Sequence, residues 1–105
     1  MVLLEYADEK VKKSLEKLKK KDPEFYEHIK NALRNIQEDP TCGIKIPIKL
    51  IPKDWKKKYG INNLYKYNLP NAWRLMYSLA GNRVELIAIV LGCFNHKEYE
   101  RIFKY

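Results

Sequence analysis

Lys66, Arg74, His96 and Tyr99 are the residues of this chain whose types and spacing suit a reaction. The first two lie in strand-like runs, Leu64 to Leu69 and Trp73 to Leu79; the other two lie in a short basic tail, Phe94 to Tyr105. They supply two cations for a phosphate, an imidazole with a reference pKa of about 6.5, and a phenol. Such a set can move protons at a phosphate ester without a metal. Each residue also has a plainer role. Cations are ordinary on the solvent side of a half-exposed sheet. A single histidine beside a short helix is often a surface residue or cap. Tyr99, three residues beyond His96 and on the same side of a helix, could simply anchor the tail. His28, in an amphipathic segment, reads as structural.

These residues need a scaffold, and the pattern supplies one. Val2 to Tyr6 reads as an opening strand. From Asp8, a plausible N-cap, Val11, Leu15 and Leu18 recur at helical spacing. Asp22-Pro23 then ends one helix and starts another, with Phe25, Ile29, Ala32, Leu33 and Ile36 on one face, until Asp39-Pro40. Ile44 to Ile51 alternates as a strand or an extended arm, and Pro52 to Gly60 is a lysine-rich loop or helical turn. Leu64 to Leu69 and Trp73 to Leu79 make a hairpin around Leu69-Pro70-Asn71, with Ala80-Gly81-Asn82 as the next turn. Arg83 to Leu91 is apolar at nearly every position, as in a strand covered on both faces, and Asn95 to Lys104 reads as a terminal helix. The order is β-α-α-β-β-β with a short C-terminal helix. It predicts a single α+β domain over 1–105 in which an N-terminal helical hairpin packs on a small antiparallel sheet. A turn centred on Pro70 sets Lys66 directly opposite Arg74, two facing cations that an anion would bridge. Trp73, Leu75 and Tyr77 then point towards the helices.

The charge agrees with an anionic partner. The chain has 105 residues, a net charge of +8, and 46% hydrophobic residues, a globular composition. Nucleic acid is the first partner to consider, ahead of an acidic protein or an anionic membrane. Lys49, Lys53, Lys56, Lys57 and Lys58 cluster with only Asp54 opposing, and Trp55 and Tyr59 could stack on bases. Arg83, Lys97 and Arg101 extend the basic set. Solvated surface charge is the plainer reading of all of these. The start of the chain has neither the basic nor the apolar region of a signal peptide, and no stretch approaches the roughly 18 apolar residues of a membrane span. Cys42 and Cys93 are far apart with no ligand spacing, which predicts free thiols in a reducing cytosol and no metal site.

Trp73-Arg74-Leu75-Met76-Tyr77, the apolar run Val84 to Leu91, and His96-Lys97-Glu98-Tyr99-Glu100-Arg101 together resemble the RelE/ParE superfamily of small toxins. In motif the resemblance covers Leu64 to Tyr105; in architecture it covers most of the chain. It implies a cytoplasmic, ribosome-dependent endoribonuclease that cleaves messenger RNA in the A site, needs no cofactor, and is held in check by a cognate antitoxin. By position, Lys66 and Arg74 match cations of the catalytic strands, His96 falls where branches carry arginine or histidine, and Tyr99 matches a C-terminal tyrosine. Asn68 stands where the RelE branch often has a second lysine, which shifts the general base towards His96. The alternatives are a ParE-like or non-catalytic toxin-fold protein that binds gyrase or another partner, and a small nucleic-acid-binding domain.

Overall fold

Asp22 joins the two long helices by serving both. The structure, a computed structural model, describes residues 2–81 and 85–103. Helix α1 (Glu9–Lys21) starts at Asp8, whose carboxylate accepts from the Val11 N–H at 2.8 Å. It ends where the Asp22 N–H donates to Leu18 O at 2.9 Å. The Asp22 side chain then accepts from the Phe25 N–H at 3.0 Å and opens helix α2 (Pro23–Glu38), with Pro23 at the position that needs no donor. Val11 and Leu15 of α1 and Ile29, Ala32 and Ile36 of α2 are buried against one face of the sheet.

The sheet contains β1 (Leu3–Tyr6), β2 (Ile44–Lys45), β3 (Tyr65–Asn68), β4 (Arg74–Gly81) and β5 (Leu86–Phe94), in the order β1-β5-β4-β3-β2. The pairs β2–β3, β3–β4 and β4–β5 are antiparallel, as the sequence predicts. Strand β1 runs parallel to β5, with Leu3 beside Ile87 and Tyr6 beside Val90, so the sheet has one parallel edge. The alternation over Ile44 to Ile51 yields only a two-residue strand. Pro47 lacks the N–H that a ladder needs, and Ile48–Leu50 coils into a 3-10 turn instead. The lysine-rich segment forms helix α3 (Lys53–Tyr59), stopped by Gly60 in the left-handed conformation at φ 65°. Helix α4 (His96–Phe103) closes the described chain.

Helices α3 and α4 cover the second face of the sheet, where Ile46, Ile51, Ile61, Leu64, Met76, Leu91 and Tyr99 form a separate apolar cluster. Both sheet faces are therefore packed. The site residues lie at the margin of the second one.

One expectation needs correction. Lys66 does not face Arg74: the register pairs Lys66 with Met76 and Asn68 with Arg74. The connection is a 3-10 turn over Pro70–Ala72, with Asn71 and Ala72 both left-handed at φ 60° and 62°. Its centre is Asn71, not Pro70, and moving the centre by one residue moves the partner by two. Faces are preserved, since residues two apart on a strand share one. Lys66 and Arg74 thus stand diagonally on the same face, a gentler repulsion than direct opposition.

Tyr77 ties the turn after α2 to the sheet. It is fully buried; its hydroxyl donates to Pro40 O at 2.8 Å and accepts from the Gly43 N–H at 3.0 Å. Burial pushes its phenol well above the ordinary range. A Cβ on Gly43 would lie 2.6 Å from that oxygen, so the approach requires glycine. Tyr77→Phe should lower stability by about 1–3 kcal/mol, because it strands the Gly43 donor. Urea unfolding that leaves the midpoint unchanged would show the hydroxyl contributes nothing.

Candidate active site

Three of the four residues singled out from the sequence meet. Lys66 on β3 and Arg74 on β4 are half-buried on the sheet's second face. Tyr99 comes down from α4, only 4% exposed. The Lys66 Nζ lies 5.6 Å and the Arg74 Cζ 5.5 Å from the centre of the Tyr99 ring. A ring quadrupole attracts cations at this range, so one phenol holds both charges in place. Arg74 Nη1 donates to Trp73 O at 3.1 Å, while its Nε is buried with no hydrogen-bond partner among the described residues. Among the described residues, no carboxylate forms an ion pair with Lys66 or Arg74. Two half-buried cations with no ion-paired carboxylate among the described residues make a candidate seat for an anion, and a guanidinium fork suits a phosphate.

Helix α4 sets the height of the Tyr99 ring. Asn95 and Glu98 cap each other reciprocally, Asn95 N–H to Glu98 Oε1 and Glu98 N–H to Asn95 Oδ1, both at 2.9 Å. Tyr99 also packs on Phe103 at 4.6 Å between ring centres. Trp55 of α3 stacks on Phe94 at 5.8 Å and meets Phe103 edge-on at 6.3 Å. Sequence pattern alone did not single out this aromatic wedge or the cap, although the Asn-x-x-Glu spacing at Asn95 was a visible signal.

His96 is not among the gathered residues. It opens α4, is exposed, and its Nε2 pairs with Glu100 one turn on. Tyr99 faces the sheet while His96 faces solvent, so three-residue spacing did not put them on a common surface.

The basic residues spread around this end of the molecule. Lys49 sits in the 3-10 turn, Lys53, Lys56, Lys57 and Lys58 on α3, and Lys97 and Arg101 on α4; all are exposed. Arg83 lies outside the described residues. Lys58 is tied down: it pairs with Asp8 at 3.4 Å and sits over the Tyr59 ring at 5.2 Å. Its pKa is raised by the Tyr59 hydroxyl and then by Asp8. Tyr59 and Trp55 are correspondingly occupied, Tyr59 by donating to Asp8 at 3.0 Å and Trp55 by its aromatic neighbours. Neither is a free stacking platform, contrary to the sequence expectation. Both cysteines are free; burial holds the Cys93 thiol at a pKa of about 12, too high for a nucleophile. No helix among the described residues is long and apolar enough to cross a membrane.

No family model matches the sequence, and no curated protein matches it either. Solved structures do. A YoeB/ParE toxin from Agrobacterium tumefaciens superposes with a TM-score of 0.65 at 20% identity, covering 90% of this chain and 99% of that one. A mutant of the E. coli toxin RelE in the free state superposes at 0.58, also at 20% identity, covering 98% of this chain and 95% of its own. The fold is that of the RelE/ParE toxins. Within the RelE/ParE fold, the helical hairpin over one sheet face and the α4 cap over the other are the frame that brings Lys66, Arg74 and Tyr99 together.

Proposed function

We propose that this chain is the toxin of a toxin–antitoxin pair and that it cleaves messenger RNA on the ribosome, in the cytoplasm. The observation that carries this reading is the convergence of Lys66 and Arg74 on Tyr99 with no paired carboxylate among the described residues. Arg74 binds the scissile phosphate through its guanidinium, with Lys66 beside it. A base removes the proton of the ribose 2′-OH, and that oxygen attacks the adjacent phosphorus. The two cations stabilise charge on the pentacovalent phosphorus. The P–O5′ bond breaks, and an acid returns a proton to the leaving 5′-oxygen. The products are a 2′,3′-cyclic phosphate and a 5′-OH. We assign the two proton transfers to the Tyr99 phenol, whose ring lies beside both cations, and to His96, once drawn from Glu100.

A binding-only toxin is the second reading. The burial of Tyr99 and the His96–Glu100 pair favour it, since both occupy groups the reaction needs. Primer extension on a translated message separates the two. New 5′ ends inside codons after induction support cleavage; growth arrest with an intact message supports the binder.

The basic face gives a further expectation. Lys56→Ser with Lys57→Ser should weaken single-stranded RNA binding and flatten its salt dependence by about 0.7 for each phosphate no longer neutralised. Lys58 is left alone because it holds Asp8. Titration at several salt concentrations reads the slope, and an unchanged slope would reduce α3 to solvated charge.

A further inference from the structure

Trp55 and Tyr59 are the two half-buried residues of helix α3; Lys53, Asp54, Lys56, Lys57 and Lys58 are exposed. A helix of seven residues is well short of the about twelve that hold alone in water, so its contacts decide where it lies. Close packing on α1 is not among them. A cleft of about 260 Å³ lies between the two helices, lined by Val11 and Ser14 on one side and by Trp55 and Tyr59 on the other. The helix is held instead at two points. At its last residue the Tyr59 hydroxyl donates to Asp8 Oδ2 at 3.0 Å, next to the Lys58–Asp8 ion pair. One turn earlier the Trp55 ring stacks on Phe94 and meets Phe103 edge-on. Phe103 lies 4.6 Å from the Tyr99 ring, and Phe94 stands directly opposite Arg74 in the sheet. Trp55 therefore packs on a neighbour of Tyr99 and on the strand partner of Arg74.

We propose that Trp55 is a positioning residue for the cation site: pinned through Tyr59 to Asp8, it bears on Phe103 and Phe94 and fixes the tilt of the ring on which Lys66 and Arg74 converge. The effect on cleavage rests on the nuclease reading above; the effect on the ring does not. An aromatic face attracts a cation and its edge repels one, so a tilted Tyr99 ring releases both charges. What is then lost is the preorganisation of the two cations and not the attraction of RNA to the surface. Helix α3 thus has two separable effects. Its exposed lysines act on affinity, and its inward tryptophan acts on rate.

Trp55→Leu keeps an apolar side chain and removes the ring; Trp55→Phe keeps a ring. Each is assayed below its melting temperature on ribosome-bound message. Trp55→Leu should lower the saturated single-turnover rate about tenfold or more and move the half-saturating concentration by less than about twofold. Trp55→Phe should recover most of the rate. Tyr59→Phe removes only the hydroxyl tie to Asp8 and should lower the rate by less; added to Trp55→Leu it should cost little more, since both act through one ring. It also carries the test where Trp55→Leu does not fold. Proton NMR of the Lys66 Cε and Arg74 Cδ methylenes reads the site without substrate. Their shifts from the Tyr99 ring current should shrink in Trp55→Leu and return in Trp55→Phe. Unmoved shifts in a folded variant overturn the proposal, as do a wild-type rate or a loss confined to affinity. If the shifts move while the wild type cuts no message, the positioning role stands and the nuclease reading fails. Cleavage by the wild type with rates and shifts indifferent to Trp55 gives the reverse.

Discussion

Arg74→Ala should cut single-turnover cleavage of ribosome-bound message by about a hundredfold or more, the usual cost of losing one preorganised electrostatic donor. The fold should hold. Arg74 is half-buried at the end of β4, its side chain donates to the neighbouring Trp73 carbonyl, and no carboxylate among the described residues is stranded when it goes. Arg74→Lys tests geometry separately from charge. An ammonium keeps the cation but cannot present a fork, so it should recover only part of the rate. Melting measured alongside cleavage decides the matter: wild-type melting with a wild-type rate would remove Arg74 from the site.

The second large effect concerns Tyr99, where two roles predict different mutants. Tyr99→Phe keeps the ring beside Lys66 and Arg74 and keeps the packing on Phe103. If the phenol transfers a proton, the rate should fall by roughly a hundred- to ten-thousandfold with little change in stability. If the ring only attracts and positions the cations, Tyr99→Phe should cleave normally. Tyr99→Ala should fail in either case, costing about 3–5 kcal/mol as a large side chain leaves a packed core. His96→Gln completes the test. With Tyr99→Phe it should be little worse than the worse single change if the two act as a unit.

Much of this arrangement was legible in the sequence, and the misses have physical causes. The helical hairpin was readable because Asp8 and the Asp22-Pro23 pair are local signals acting within one turn of themselves. The apolar face of β4 was readable for the same reason: alternation assigns Leu75 and Tyr77 to the helices whatever the register. The register itself was not readable, because it depends on Ala72 adopting a left-handed φ of 62°, which its residue type disfavours. Pro47 did signal the early end of β2, and the alternation of Ile44, Ile46 and Ile48 masked it. Of the candidate site, Lys66, Arg74 and Tyr99 were singled out by residue type and motif. His96 was grouped with them by helical spacing, which cannot tell the buried side of α4 from the open one. The parallel pairing of β1 with β5 leaves no local trace at all, since nothing near Leu3 specifies a partner near Ile87.

That pairing also orders events in time. Leu3 is made first and waits for Ile87, so β1 cannot take its place at the sheet edge until nearly all the described chain exists. The helical hairpin can form early from its own caps, but it has only an incomplete sheet to cover. Helix α4 comes later still, and with it Tyr99. A nascent chain therefore carries both cations on an unfinished surface, without the ring that gathers them. If the chain is the toxin proposed above, it stays harmless to the ribosome synthesising it until α4 has emerged.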